Sequence, residues 1–245
     1  MSKLLVVQES VIVRAELKKL LDECGVFNYD LVSSYEEAKI LLGTRRYKYA
    51  LVDRILKDAP HGEIIALFNK HHLAPLVFTN EIDEDFFDDF EGANIVDYIK
   101  KIKYNDEKFA VNKLLQLRDN RKTTVLVVSD SAMYSHFLKQ NLTLHNFKVI
   151  NATNNENCYE KLELHPEISL VLLDSSEPYV YSLEIVEYIR KHHKKQEIKI
   201  IVLAQKSASY ETSQLLTSGA DDYLIKEFSR DEFYVRVYQN INKVG

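Results

Sequence analysis

The chain has 245 residues, 46% of them hydrophobic and 28% charged, with a formal net charge of −5. This is the profile of a soluble globular protein, without the basic face of a general nucleic-acid binder and without an apolar run near the roughly 18 residues of a membrane span. Cys24 and Cys158 are lone thiols, read as small buried hydrophobes in a reducing compartment. Met1-Ser2-Lys3 leads straight into a strand pattern, so no secretory signal is expected.

Residues 4 to 7 form a first apolar strand that ends on Gln8-Glu9-Ser10. A helix follows, with Val13, Leu17, Leu20 and Leu21 on one face and Gly25 as its stop. Tyr29 to Val32 is a second strand. Ser34 and Glu37 have the spacing of a capping box for a helix through Ala38, Leu41 and Leu42. Tyr49 to Val52 reads as a strand buried on both faces, and it stops abruptly on Asp53. His61-Gly62 opens a helix carrying Ile64, Ile65 and Phe68, and Leu76 to Phe78 is a fourth strand ending on Thr79. An acidic helix, read as a solvated face, is expected over 81–91 and a fifth strand over 95–99, closed by Lys100-Lys101. Asn105-Asp106 caps a last helix through Phe109, Leu114, Leu115 and Leu117.

The same order then recurs. Asp53 and Asp174, like Glu9 and Asp130, lie 121 residues apart, while Tyr98 and Tyr223, like Lys101 and Lys226, lie 125 apart. A period this long is a domain duplication and not a solenoid repeat. Strands are expected near 124–128, 147–151, 168–173, 199–203 and 222–225. Ser229 and Glu232 suggest a capping box for a last helix with Phe233, Val237 and Ile241 on its apolar stripe. The predicted organisation is a first domain over 1–118, a short polar linker over 119–122 and a second domain over 123–245. Strands alternating with amphipathic helices predict an α/β class, with two flavodoxin-like five-stranded parallel sheets covered by helices on both faces.

Carboxyl ends of parallel strands are where such sheets bind ligands. In the first half that rim collects Gln8, Glu9, Asp53, Thr79 and Lys101. Taken alone, Asp53 is an ordinary loop or helix-capping acid. With Glu9 beside it and a backbone carbonyl near Ile55, the rim offers hard oxygen ligands to Mg²⁺ or Mn²⁺. Lys101 would neutralise an incoming phosphoryl oxygen, and Thr79 would hydrogen-bond it. His71-His72 and His192-His193 fall near helix ends, suit the dipole there, and are assigned no metal.

These motifs resemble the receiver domain of two-component response regulators, twice over. The resemblance implies that Asp53 accepts a phosphoryl group from a phosphohistidine, with Mg²⁺ held by Glu9, Asp53 and the Ile55 carbonyl, and with Gln8 reaching the metal through water. It implies a switch made of Thr79 and Tyr98, with Lys101 on the phosphoryl group. In the second half Asp174 is the corresponding acceptor. Asp130, Asp174 and the Ser176 carbonyl are the metal ligands, and Tyr223 and Lys226 complete the set. The segment from Gly219 to Lys226 is an especially close match.

Departures separate the halves. The first acid of the family's pair is Gln8 in one half and Ser129 in the other; the fourth-strand hydroxyl survives as Thr79 but becomes Ala204. Ile102 and Glu227 stand where the family has a proline, so a cis peptide is not expected there. The first receiver is therefore expected to be the phosphorylated one and the second an adaptor or a weaker site. Glycine-rich phosphate loops and the Gly-x-Ser-x-Gly elbow are missing, which weighs against an enzyme on this fold. The alternative is a pair that never accepts phosphate and serves as a dimerisation scaffold. The two-receiver arrangement resembles the N-terminal part of two-receiver diguanylate cyclases. It implies a longer cytoplasmic protein, a sensor kinase or phosphotransfer partner, and a homodimer formed through receiver faces.

Overall fold

The structure, a computed structural model, describes residues 2–80, 94–102, 105–175, 180–205 and 209–241. The chain divides into two compact units, Met1–Arg118 and Asp119–Gly245. In the first unit, strands β1 (Ser2–Val7), β2 (Phe27–Val32), β3 (Tyr49–Val52), β4 (Leu76–Thr79) and β5 (Asp97–Lys100) alternate with helices α1 (Val11–Cys24), α2 (Tyr35–Thr44) and α3 (Glu63–Lys70). Helix α4 (Asp106–Asp119) closes the unit. All the pairings are parallel, in the order β2-β1-β3-β4-β5. The acidic segment expected over 81–91 lies outside the described residues.

The local reasons are legible. Every residue of β3 and β4 is buried, as a strand covered on both faces requires. Leu5, Val7, Ala50, Val52 and Val77 pack on Ala38, Leu42, Ile64, Ile65 and Phe68 from α2 and α3. The alternate strand residues Leu4, Val6, Leu51, Leu76 and Phe78 point to the opposite face and are equally buried. Gly25 ends α1 in the left-handed region at φ 61, where a side chain would be strained. Ser34 accepts a hydrogen bond from the Glu37 amide, as the capping box expects, and the Glu37 carboxylate turns back onto the Ser33 amide and hydroxyl. Along α4 the buried stripe is Ala110, Val111, Leu114 and Leu117, and Phe109, expected among the apolar positions, is 58% exposed.

The second unit repeats the plan with β6 (Thr124–Val128), β7 (Lys148–Ala152), β8 (Ile168–Asp174), β9 (Lys199–Ala204) and β10 (Asp222–Ile225) in the order β10-β9-β8-β6-β7. Its helices are α5 (Ala132–Leu144), α6 (Asn155–Leu164), α7 (Val180–His192), α8 (Ser209–Thr217) and α9 (Arg230–Ile241). Phe233 and Val237 of α9 are core residues with Ile241 packed beside them, and Cys158 is fully buried, whereas Cys24 is only half-buried. A single 3₁₀ turn over Asn120–Lys122 leads into β6. There the buried Asn120 donates through Nδ2 to the His145 carbonyl at 2.8 Å and the Tyr238 hydroxyl at 3.0 Å.

In both sheets the strand order reverses direction beside the first strand of the unit, between β1 and β3 and between β6 and β8. A crevice opens at such a switch point. The ends of those strands carry Gln8, Glu9 and Asp53 in one unit, and Ser129, Asp130 and Asp174 in the other.

Candidate functional site

Strand register assembles the first site. Val7 pairs with Val52, so Gln8-Glu9 and Asp53 leave the sheet side by side, and the Asp53 amide donates to the Val7 carbonyl at 2.8 Å. Thr79 pairs with Lys100 across β4 and β5, and the Lys101 amide donates to the Thr79 carbonyl at 2.7 Å. This register places the Lys101 side chain over the Asp53 carboxylate, with Nζ 2.8 Å from Oδ2. The same ammonium donates to Gln8 Oε1 at 3.3 Å and lies 4.8 Å from the centre of the Phe78 ring. Asp53, Gln8 and Thr79 are all buried.

The electrostatics follow from that burial. Asp53, 8% exposed, has its carboxyl held above its ordinary range, first by desolvation and then by the charge of Glu9, with Lys101 pulling the other way. A carboxyl whose proton affinity is raised by burial and by the nearby Glu9 charge forms a place a cation would relieve. The donors available are hard oxygens, those of the Asp53 and Glu9 carboxylates. Among the described residues no group of three or more His, Cys, Asp or Glu gathers around one point. A cation here would therefore rest on two carboxylates plus backbone and water, the set that Mg²⁺ accepts. The residues present fit that ion.

Several contacts at this rim carry no sequence signal of their own. Arg14, one turn into α1, donates through Nη1 to the carbonyls of Gln8 at 2.7 Å and Glu9 at 2.5 Å, fixing the acidic turn. Lys57, in the loop after β3, donates from its amide to Glu9 Oε2 at 3.1 Å and from Nζ to Oε1 at 2.8 Å. The Lys57 hydrogen bond is the main reason the Glu9 carboxyl sits below its usual range. Spacing could place Arg14 on the helix, but not aim its guanidinium backward at the turn. Tyr98 is half-buried and packs against the core on the β1–β3 face that α2 and α3 cover.

In the second unit the same positions meet differently. Lys226 Nζ lies 2.5 Å from Asp174 Oδ1, while the Ser129 hydroxyl donates to Asp174 Oδ2 at 2.6 Å. Asp174 is 7% exposed; its Oδ2 takes the Ser129 hydrogen bond, while its Oδ1 has the Lys226 charge beside it but no hydrogen bond. Lys226 Nζ also stands 5.3 Å from the centre of the Tyr134 ring. Ala204, buried at the end of β9, brings no hydroxyl. Asp130 is exposed, Tyr223 is 42% exposed on β10, and Ser176 lies outside the described residues.

Residues 125–238 match the family model of the response regulator receiver domain. The chain is 32% identical over 115 residues to the response regulator ArlR of Staphylococcus aureus, an alignment covering 47% of this chain and 51% of that protein. It thus spans about half the length of the curated relatives it matches. It is similar over 100% of its length to two solved structures described as two-component system response regulator/GGDEF domain proteins. Their TM-scores are 0.87 and 0.86, at 29% and 28% identity, with 99% of each of those chains covered.

Proposed function

We propose that this chain, a tandem pair of response regulator receiver domains of a two-component system, is switched by transfer of a phosphoryl group from a phosphohistidine to Asp53. The observation that carries the reading is the Lys101 ammonium 2.8 Å from Asp53 Oδ2, beside the Gln8-Glu9 turn and the buried Thr79. In-line phosphoryl transfer asks the protein mainly to position the reactants and to neutralise charge. Asp53 supplies the nucleophilic oxygen. Glu9, Asp53 and the Ile55 carbonyl would hold Mg²⁺ or Mn²⁺, which when bound supplies positive charge against the phosphoryl oxygens. Lys101 supplies positive charge from the β5 side, and Gln8 keeps its ammonium at the pocket. Thr79, at the end of β4, offers its hydroxyl to the phosphoryl group once attached. Tyr98 is the neighbouring aromatic that would follow that movement. Driving such a two-state element from mostly off to mostly on requires about 5.5 kcal/mol of differential stabilisation.

The second unit favours a different reading, an adaptor without phosphate. Ala204 cannot bond a phosphoryl oxygen, and the Ser129 hydroxyl already occupies Asp174 Oδ2. The pair would be cytoplasmic, would dimerise through receiver faces and would take phosphate from a sensor histidine kinase or a phosphotransfer protein. It would govern an output carried by a longer chain. The GGDEF domain proteins it resembles suggest a diguanylate cyclase making c-di-GMP. No helix among the described residues is long and apolar enough to cross a membrane. The test is incubation with acetyl phosphate and Mg²⁺ followed by intact mass. One phosphoryl group that disappears in Asp53→Asn supports the switch, and no labelling at all supports the scaffold.

A further inference from the structure

We infer that Lys57 is a built-in counter-ion that occupies the Glu9 carboxylate and competes with the divalent cation for it, so that this lysine sets the cation concentration at which the Asp53 site loads. The inference rests on the reading of Glu9 and Asp53 as a cation site. Its basis is one residue holding both oxygens of one carboxylate: Lys57 Nζ on Oε1 at 2.8 Å and the Lys57 amide on Oε2 at 3.1 Å. The partners are 48 residues apart in sequence and meet because β1 and β3 are neighbours in the sheet.

The two contacts differ in permanence. The loop that bears Lys57 is tied down independently. Asp58 accepts from the amides of Tyr35 at 3.0 Å and Glu36 at 3.2 Å, donors at the start of α2 that the helix itself leaves unpaired. Leu56 and Ala59 close the loop by exchanging backbone hydrogen bonds at 3.2 and 3.0 Å. On the other side, Arg14 pins the turn that carries Glu9. The Lys57 amide is therefore a fixed donor that keeps Glu9 aimed along the rim. Its ammonium ends a side chain that is 91% exposed, and among the described residues its partner is Glu9. A divalent cation taking Glu9 Oε1 meets a like charge already on that oxygen and must displace it. The amide can stay where it is while the ammonium swings into water.

An exposed ion pair of this kind shifts a competing equilibrium by up to about five-fold. The test is a titration of the 245-residue chain with Mn²⁺ alone, followed by water-proton relaxation at low ionic strength. The variants are Lys57→Gln, Glu9→Gln, the double variant and Asp53→Asn. Lys57→Gln is expected to bind Mn²⁺ about two- to five-fold more tightly than the parent. The gain should shrink as salt is raised and vanish in the Glu9→Gln background. Equal or weaker binding by Lys57→Gln overturns the inference, and so does an undiminished gain when Glu9 is already Gln, which would mark a diffuse charge effect. Mn²⁺ binding that ignores both Glu9→Gln and Asp53→Asn overturns the underlying cation-site reading instead.

Discussion

Gln8 and Ser129 hold equivalent places, one residue beyond β1 and β6, and each touches its own ion pair at a different member. Gln8 reaches the cation: its amide oxygen accepts from Lys101 at 3.3 Å. Ser129 reaches the anion: its hydroxyl donates to Asp174 at 2.6 Å. In the first unit Lys101 donates to Asp53 Oδ2 at 2.8 Å, and burial is the first cause of the raised proton affinity of Asp53. In the second unit the donor occupies Asp174 Oδ2 and leaves Oδ1 with the lysine's charge alone. Thr79 against Ala204, and a half-buried Tyr98 against an exposed Tyr223, follow the same division. One fold thus holds the same aspartate–lysine pair in two ways, with the polar neighbour on the lysine in one unit and on the aspartate in the other.

The hardest test of that contrast removes each lysine. Lys101→Ala should slow acetyl-phosphate labelling by about 10²–10³-fold, the loss typical of one charge-stabilising donor. Lys226→Ala should leave the extent of labelling at the parental level; equal losses would erase the distinction. Next, the second site can be rebuilt. In an Asp53→Asn background, Ser129→Asp with Ala204→Thr should raise phosphate incorporation at Asp174 by about tenfold or more, read by peptide mapping. The threonine enters a fully packed strand end and should lower stability by about 1–3 kcal/mol.

Smaller effects sharpen the comparison. Ser129→Ala strips a hydrogen bond from a buried carboxylate and should destabilise the second unit by about 1–3 kcal/mol in urea. Gln8→Ala breaks a longer contact and should cost the first unit about 0.5–1.5 kcal/mol. NMR titration of the Asp53 carboxyl should find it above its ordinary range, and higher again in Lys101→Met, which removes the charge that pulls it down. A carboxyl raised in the folded state contributes stability that is complete below the unfolded carboxylate range and is lost as pH rises through the folded titration. The first unit should therefore lose stability over that interval, and Asp53→Asn should abolish the decline.

Much of this was legible in the chain. Apolar runs that stop on a carboxylate gave β3 and β8, and the offset between the halves gave the duplication, because burial on both faces leaves few other ways to read such runs. The convergence of Asp53, Lys101 and Gln8 followed from topology, since parallel strands deliver their ends to one rim. What stayed hidden depends on side-chain direction. Phe109 has a core-like identity, but the helix turns it to solvent. The Gln8 amide oxygen meets the Lys101 ammonium, a contact that spacing alone does not reveal. Lys57 and Arg14 belong to no pattern, and only the packed loop and turn give them a partner.

The account turns on which carboxylate takes the phosphoryl group. Peptide mapping of the chain after exposure to acetyl phosphate and Mg²⁺, with borohydride trapping of the acyl phosphate, answers this directly. The expected result is a reduced, tagged residue at Asp53 and an untouched Asp174. Modification at Asp174 with Asp53 spared would contradict it.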